Sequence, residues 1–160
     1  MLHDNNLAYV FTDGSCHPQF RIGAWGAIIL IGEKKLILTG EESDTTNNRM
    51  ELLAVIKAIE EVRNKFKTIT DIRIITDSQY VAGLVARQEK FIQKNFKTAV
   101  GNVIRNADLV KTLLYMHQTD AVHFEKIKAH QKKSDTVNYN REIDKLCRKI
   151  VREAVKKLVS

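Results

Sequence analysis

Short apolar runs separated by turn residues occupy the first part of the chain and predict β-strands. Three runs rich in Ile, Leu, Val and aromatic residues lie at 7–13, 23–31 and 34–41. A stretch containing Gly and Pro separates the first two, and Gly-Glu-Lys-Lys separates the second from the third. β-Branched and aromatic residues favour strands, whereas Gly and Pro favour turns. We therefore expect a three-stranded antiparallel meander at the start of the chain.

The hydrophobic pattern changes to a helical period after residue 44. One face of the following stretch carries the apolar side chains of Leu52, Val55, Ile56, Ile59, Val62 and Phe66. Asp44, Thr45 and Thr46 offer oxygen atoms that can cap the first backbone amides. The pattern predicts a helix of about four to five turns.

Strands and helices alternate in the second half of the chain. The pattern predicts a strand at 72–76, a helix from near Ser78, an irregular amphipathic stretch over about 88–117, a strand at 121–128 and a helix over about 138–158. An antiparallel start followed by helix–strand units is typical of an α/β domain with a mixed sheet covered by helices. At 160 residues we expect a single domain spanning 1–160 without linker or repeat.

Cysteine usage and hydropathy favour a cytoplasmic protein. Cys16 and Cys147 form neither a Cys-x-x-Cys motif nor a Cys/His metal spacing, so we expect reduced thiols. No uninterrupted apolar stretch approaches the roughly 20 residues of a membrane span. The N-terminus lacks a basic segment followed by an apolar run. We therefore expect no targeting segment and no membrane partner.

The formal net charge of +7 is divided unevenly along the chain. Residues 1–80 contain 9 Lys and Arg against 11 Asp and Glu, whereas residues 81–160 contain 17 against 8. The two halves therefore carry −2 and +9. This asymmetry favours a polyanionic partner, although a solvated basic helix at the C-terminus would account for part of it.

Two apolar runs end on the same residue pair, Thr-Asp. The first reads FTDGSC and contains Asp13, and the second reads IITDSQY and contains Asp77. An isolated Asp-Gly is typical of a turn. Parallel neighbouring strands, however, finish at the same edge of a sheet, where α/β proteins usually carry their chemistry. We therefore expect the two carboxylates to meet.

Two further carboxylates lie on or beside apolar faces of predicted helices. Glu51 shares a helical face with Val55 and Val62, and Asp144 lies beside the apolar face of the last helix. A buried carboxylate must be paired, protonated or bound to a metal. Rim carboxylates paired with Arg or Lys are one interpretation. If all four carboxylates lie close together, a cation is required to offset their mutual repulsion. A set of oxygen ligands favours Mg²⁺ or Mn²⁺ as this cation.

The blocks FTDGSC, TTNNRMEL and TDSQYV, in this order and at this spacing, resemble the type 1 ribonuclease H family. The resemblance covers about residues 7–155. It implies the ribonuclease H-like fold, which is a five-stranded mixed sheet of three antiparallel strands followed by helix–strand units, flanked by helices. The strands carrying Asp13 and Asp77 are neighbours in that fold.

The resemblance also implies a metal-dependent active site. Asp13, Glu51, Asp77 and Asp144 match the carboxylates that hold two divalent ions in the family, with Mg²⁺ the expected metal and Mn²⁺ a possible substitute. His130 matches a loop histidine that assists proton transfer or product departure, although a lone loop histidine is usually only solvated. The implied reaction cuts the RNA strand of an RNA/DNA hybrid and leaves 5′-phosphate and 3′-hydroxyl ends. We expect a monomer whose partner is this hybrid.

Hybrid selectivity requires recognition of the 2′-hydroxyl, which distinguishes RNA from DNA. The resemblance assigns this recognition to Cys16, Asn47, Asn48 and Gln79. Gln19, also a predicted substrate contact, departs from the family, which often has an asparagine at this position. The resemblance assigns a phosphate of the DNA strand to Thr46 and Asn106, for which helix capping is the alternative interpretation.

The stretch 87–105 contains five basic residues and one acidic residue, interleaved with Phe91 and Phe96. It resembles the basic protrusion of the family. Lys94 and Lys97 suit phosphate contacts, and Phe91 suits packing under a sugar. The alternative is a solvated helix pair in which the two phenylalanines anchor the segment to the core.

Two rival functions remain open at the sequence level. A proofreading exonuclease or a junction-cleaving nuclease of the same fold would also collect carboxylates on this sheet. The exonucleases carry Asp-x-Glu on the first strand, but this chain has Asp13, Gly14 and Ser15 there. A catalytically weak or silent hybrid-binding module would tolerate the loss of a carboxylate, and none of the four is missing.

Overall fold

The computed structural model describes residues 6–119, 121–126 and 135–160. The elements are β1 (Leu7–Cys16), β2 (Gly23–Ile31), β3 (Lys34–Glu42), α1 (Asn47–Lys65), β4 (Asp71–Thr76), α2 (Gln79–Ala86), α3 (Gln88–Gln93), α4 (Ala107–Thr119), β5 (Val122–Lys126) and α5 (Asp135–Val159). The order of elements agrees with the predicted order. The amphipathic stretch predicted at 88–117 divides into α3 and α4.

The five strands form one mixed sheet in the order β3-β2-β1-β4-β5. The β1–β2 and β2–β3 pairs are antiparallel, and the β1–β4 and β4–β5 pairs are parallel. This topology confirms the predicted α/β fold with a meander followed by helix–strand units. It also places β1, which carries Asp13, directly beside β4.

Strand β1 extends three residues further than the sequence pattern predicts. Its antiparallel partner β2 continues to pair with it as far as Cys16 and Gly23. The parallel pairing with β4 stops earlier, at Phe11 and Ile75. Asp13 is therefore paired with β2 on one side of the strand, whereas on the other side it lies beyond the last residue that pairs with β4.

Helices cover both faces of the sheet and enclose two cores. Helices α1, α2 and α4 pack on one face around a large cluster that includes Val10, Leu52 and Ile74. Helix α5 covers the other face, where Ile143 and Cys147 pack with Phe11 and neighbouring residues. Because side chains alternate along a strand, Asp13 points to the same face as Phe11, which is the face under α5.

Two further observations concern the cysteines and the hydropathy of the helices. Cys16 and Cys147 are both free thiols, and Cys147 is buried. Within the described residues, no helix is both long enough and apolar enough to cross a membrane.

Candidate active site

Three predicted carboxylates converge at the edge of the sheet. Oxygen atoms of Asp13, Glu51 and Asp77 all lie within 4.8 Å of one another. Asp13 and Asp77 each lie two residues beyond the last parallel pair of β1 and β4, Phe11 and Ile75. The register of the two strands therefore brings the two Thr-Asp ends together, as the sequence predicts.

Glu51 reaches this corner because α1 lies unusually close to β1. A Cβ atom at Gly14 would overlap with the backbone of Met50 and Glu51. Only glycine therefore permits the first turns of α1 to lie against the strand next to Asp13. The position of α1 is also set by Thr46, whose Oγ1 accepts a hydrogen bond from the backbone N–H of Arg49 at 3.2 Å.

A second glycine brings α5 and its aspartate to the same corner. Gly26 is the β2 partner of Asp13, and a Cβ atom there would lie 2.6 Å from Ile143 Cδ1 and 2.8 Å from Cys147 Sγ. Helix α5 therefore packs directly over this strand pair. Asp144, next to Ile143, consequently lies near enough for its charge to raise the pKa of Asp13, although it is not in the group of carboxylates whose oxygen atoms all lie within 4.8 Å of one another.

Burial and mutual repulsion raise the pKa values of the two innermost carboxyls. Asp13 and Glu51 are only 5% and 7% exposed. Loss of hydration, followed by the charges of Asp77 and Asp144, raises the pKa of Asp13 to about 7. Loss of hydration, followed by the charges of Asp13 and Asp77, raises the pKa of Glu51 to about 9. In both cases a hydrogen bond from the Gly14 backbone opposes the shift in pKa.

The cluster has the properties of a divalent-cation site. Asp13 Oδ2 and Glu51 Oε2 are buried oxygen atoms without a hydrogen-bond partner in the described part of the chain. Unpaired buried polar atoms are costly, and a bound cation would satisfy these two oxygen atoms. The donors are all carboxylate oxygens, which suit hard ions such as Mg²⁺ or Mn²⁺. The residues therefore fit a divalent metal.

Five of the ten predicted substrate residues line two clefts at the start of α1. A cleft of about 290 Å³ is lined in part by Cys16, Thr46 and Asn47. A larger cleft of about 510 Å³ is lined by Arg21, Thr46, Asn48, Tyr80, Arg105 and Asn106. Gln19 and Gln79 are exposed, the former in the β1–β2 loop and the latter at the first position of α2.

Asn106 is held in a fixed orientation at the wall of the larger cleft. Its Nδ2 donates to Tyr80 Oη at 3.2 Å, and its Oδ1 accepts from Arg49 Nη1 at 3.3 Å. Arg49 also donates to both carboxylate oxygens of Asp108, at 3.0 and 2.7 Å. Asn106 adopts a left-handed backbone, with φ of 58°.

Arg21 and Tyr80 line these clefts although the sequence pattern did not assign them a role. Arg21 lines both clefts, donates through Nε to the carbonyl of Thr45 at 3.4 Å and has φ of 57°. Tyr80 contributes through its bond to Asn106. Arg21 lies in an irregular loop, and Tyr80 lies within the TDSQYV block but received no role there. Only their three-dimensional placement indicates a role.

The basic stretch 87–105 forms α3 and the segment after it. Phe91 and Phe96 pack against the large core with their rings parallel and 6.4 Å apart. The two phenylalanines therefore anchor this segment to the core. Lys94 and Lys97 are exposed and line a cleft of about 230 Å³ together with Arg87, Lys90, Phe91, Thr98, Ala99 and Ile104. His130, the predicted loop histidine, lies outside the described residues.

Fold and site together define an α/β protein with a carboxylate cluster suited to divalent metals at the edge of its central sheet. The RNase H family model matches residues 5–152. A Ribonuclease H from Caldicellulosiruptor saccharolyticus is 32% identical over 151 residues, which covers 93% of this chain and 96% of the relative. A Ribonuclease HI from Xylella fastidiosa is 35% identical over 143 residues, covering 89% and 90% respectively.

A solved structure shares this fold. The crystal structure of LC9-RNase H1, a type 1 RNase H with the type 2 active-site motif, superposes with a TM-score of 0.76 at 22% identity. That comparison covers 93% of this chain and 74% of the other. The chain belongs to the ribonuclease H family, a family of nucleases that hydrolyse phosphodiester bonds.

Proposed function

We propose that this protein is an endoribonuclease that hydrolyses the RNA strand of RNA/DNA hybrids. The observation that carries the proposal is the convergence of Asp13, Glu51 and Asp77 within 4.8 Å, with Asp144 beside them, in a member of the ribonuclease H family. A protein that only binds hybrids would have no need for buried carboxylates that repel one another.

The metal would be held by Asp13, Glu51, Asp77 and Asp144, and we propose Mg²⁺ as the ion, with Mn²⁺ as a substitute. When bound, a pair of such ions supplies an activated water and stabilises the leaving 3′ oxygen, so that the products carry 5′-phosphate and 3′-hydroxyl ends. The raised pKa values of Asp13 and Glu51 mean that both carboxyls must lose protons to act as ligands.

The clefts at the start of α1 provide recognition of the two strands. Cys16 and Asn47 border the smaller cleft, where side-chain and backbone polar groups can contact 2′-hydroxyls. We assign the same role to Asn48 and Gln79, and a substrate contact in the β1–β2 loop to Gln19. Thr46 and Asn106 would bind a phosphate of the DNA strand in the larger cleft.

Lys94 and Lys97 would extend the phosphate contacts along the hybrid, because both are exposed. Phe91 would contribute to substrate contact through the side that faces the cleft it shares with them. His130 would assist proton transfer or product departure. We further propose that the protein is cytoplasmic and acts as a monomer. Size-exclusion chromatography with light scattering can check the oligomeric state.

A cleavage assay on one sequence in four forms tests the proposed function. The substrates are the RNA/DNA hybrid, RNA/RNA and DNA/DNA duplexes and single-stranded RNA, each with Mg²⁺, with Mn²⁺ and with a chelator. We expect divalent-dependent internal cutting of RNA in the hybrid alone, and ligation or phosphatase treatment of the products identifies their ends. Equal cutting of double-stranded DNA would contradict the proposal.

A further inference from the structure

Arg148 brings a positive charge to the edge of the carboxylate cluster. Its Nε donates to Asp144 Oδ1 at 3.2 Å, one turn further along α5. Both side chains are partly open to solvent, with 66% of Arg148 and 40% of Asp144 exposed. Helix α5 lies against Asp13, because Cys147 Sγ donates to the Asp13 carbonyl at 3.8 Å. Asp144 lies three residues before Cys147 on this helix, so its bond to Arg148 places the guanidinium beside the buried part of the cluster.

Other cations are scarce at this corner. Within residues 6–119, 121–126 and 135–160, the Arg148–Asp144 pair is the only ion pair that joins a Lys or Arg to one of the four carboxylates. The charges that act most strongly on Asp13 and Glu51 are those of neighbouring carboxylates. Arg148 is thus the described side chain that offsets part of this negative charge.

We propose that Arg148 is a tethered counter-ion of the cluster that competes with a divalent cation for Asp144. This inference rests on the proposed metal site. A cation that binds at Asp144 must share or replace the guanidinium at Oδ1, and the positive charge of Arg148 also repels an incoming cation. Arg148 would therefore set the Mg²⁺ concentration at which Asp144 becomes a ligand.

The size of the effect follows from the exposure of the pair. Solvent weakens ion pairs between partly exposed side chains, so the competition is modest. Removing the Arg148 charge should raise the apparent Mg²⁺ affinity about 2- to 5-fold. Arg148→Lys, which retains a cation able to pair with Asp144, should bind Mg²⁺ about as the wild type does.

Isothermal calorimetry and Mg²⁺-dependent melting, both without nucleic acid, test this role. Arg148→Gln should bind Mg²⁺ more tightly and show a larger Mg²⁺-induced rise in Tm than the wild type. Lys149→Gln removes the same charge from the next, exposed residue of α5, which forms no ion pair in the described part of the chain. It is the matched control and should leave the affinity nearly unchanged.

A double-mutant cycle separates direct competition from a general charge effect. In an Asp144→Asn background, Arg148→Gln should change the Mg²⁺ affinity no more than Lys149→Gln does. Equal effects of Arg148→Gln and Lys149→Gln in the wild-type background would overturn the proposal, as would weaker Mg²⁺ binding by Arg148→Gln. A wild type that binds no Mg²⁺ would overturn the proposed function as well.

Discussion

At the scale of single residues, the site depends on carboxylates that are unfavourable until a cation arrives. Asp13 and Glu51 are buried, each has an oxygen without a hydrogen-bond partner among the described residues, and each lies within reach of Asp77. Selection for stability alone would not bring these carboxylates together, because their mutual repulsion and their loss of hydration both oppose it. Function and stability should therefore oppose each other at these positions.

Asp13→Asn should nearly abolish cleavage yet retain or raise the Tm of the metal-free protein near pH 8. The amide keeps the shape of the side chain and removes one like charge, while the site loses an anionic ligand. Melting curves with and without Mg²⁺ measure both effects, since a ligand stabilises the state that binds it. Mg²⁺ should raise the Tm of the wild type more than that of the variant.

Asp77→Asn should behave in the same way, and Asp71→Asn is its matched control. Asp71 begins β4, whereas Asp77 follows its other end, and Asp71 is half-exposed beside His123. The control should cleave hybrids at the wild-type rate. A metal-free Asp13→Asn protein that melts well below the metal-free wild type would mean that Asp13 is a structural ion-pair partner.

At the scale of elements, two close approaches bring the helices to the site. Helix α1 lies over Gly14 of β1, and α5 lies over Gly26 of β2. Each contact requires a residue without a side chain, because the neighbouring atoms belong to the helix backbone at Gly14 and to Ile143 and Cys147 at Gly26. The distance between helix and strand thus decides where Glu51 and Asp144 lie.

Gly14→Ala should destabilise the fold by about 1–3 kcal/mol, the usual cost of overpacking, and reduce cleavage further by displacing Glu51 from Asp13. Gly83→Ala is the matched control, because a Cβ atom at Gly83 in α2 meets no atom within 4 Å. Alanine is a better helix former than glycine, so this control should gain about 0.5–1 kcal/mol. Urea unfolding and initial cleavage rates measure both variants. Similar stability of the two variants would contradict the close approach of α1 to β1.

Replacing Lys94 and Lys97 together with Ala should weaken hybrid binding and flatten its dependence on salt. Each phosphate contact that is lost removes nearly one unit from the slope of log affinity against log salt concentration, about 0.9 for a duplex. Turnover at saturating substrate should change little. Fluorescence anisotropy in the presence of Ca²⁺ measures the affinity for the hybrid at a series of salt concentrations, and these affinities give the slope.

The control for this pair is Lys156→Ala with Lys157→Ala in the last turn of α5. It removes the same charge from exposed positions outside the proposed substrate clefts. If both double variants reduce the salt slope equally, the segment after α3 is ordinary basic surface rather than a substrate contact.

At the scale of the whole molecule, metal-free stability should depend on pH through the cluster. The folded protein holds protons on Asp13 and Glu51 at higher pH than the unfolded chain does, because both pKa values are raised on folding. The folded state thus binds more protons, so the free energy of unfolding falls as pH rises.

The loss of stability should begin above the ordinary carboxyl pKa values of 3.8 and 4.5 and continue through pKa values of about 7 for Asp13 and about 9 for Glu51. Denaturant unfolding in chelator at pH 5, 7 and 9 measures the trend. Saturating Mg²⁺, or the double variant Asp13→Asn with Glu51→Gln, should flatten it. Metal-free stability that rises from pH 5 to pH 8 would show that the carboxyls are not held protonated by the fold.

Local pattern sufficed to predict most elements and to single out the four carboxylates, for which the resemblance implied a metal-binding role. The helical period around Leu52 and Val55 predicted α1, and the cap at Thr46 is observed. The ends of elements were harder to predict. Strand β1 runs on to Cys16 because β2 continues to pair with it, and hydrogen bonding to a distant segment leaves no signal within the strand's own residues.

The sequence by itself determined the order of elements, the mixed α/β class and the carboxylate side chains available for the site, because periodicity and motif spacing are local properties. Only the tertiary structure decided the rest. The register of β1 and β4 set Asp13 beside Asp77, and the close approach of α1 at Gly14 brought in Glu51. The raised pKa values and the contact of Arg148 with Asp144 follow from that assembly, since burial and charge proximity arise only when distant segments pack together.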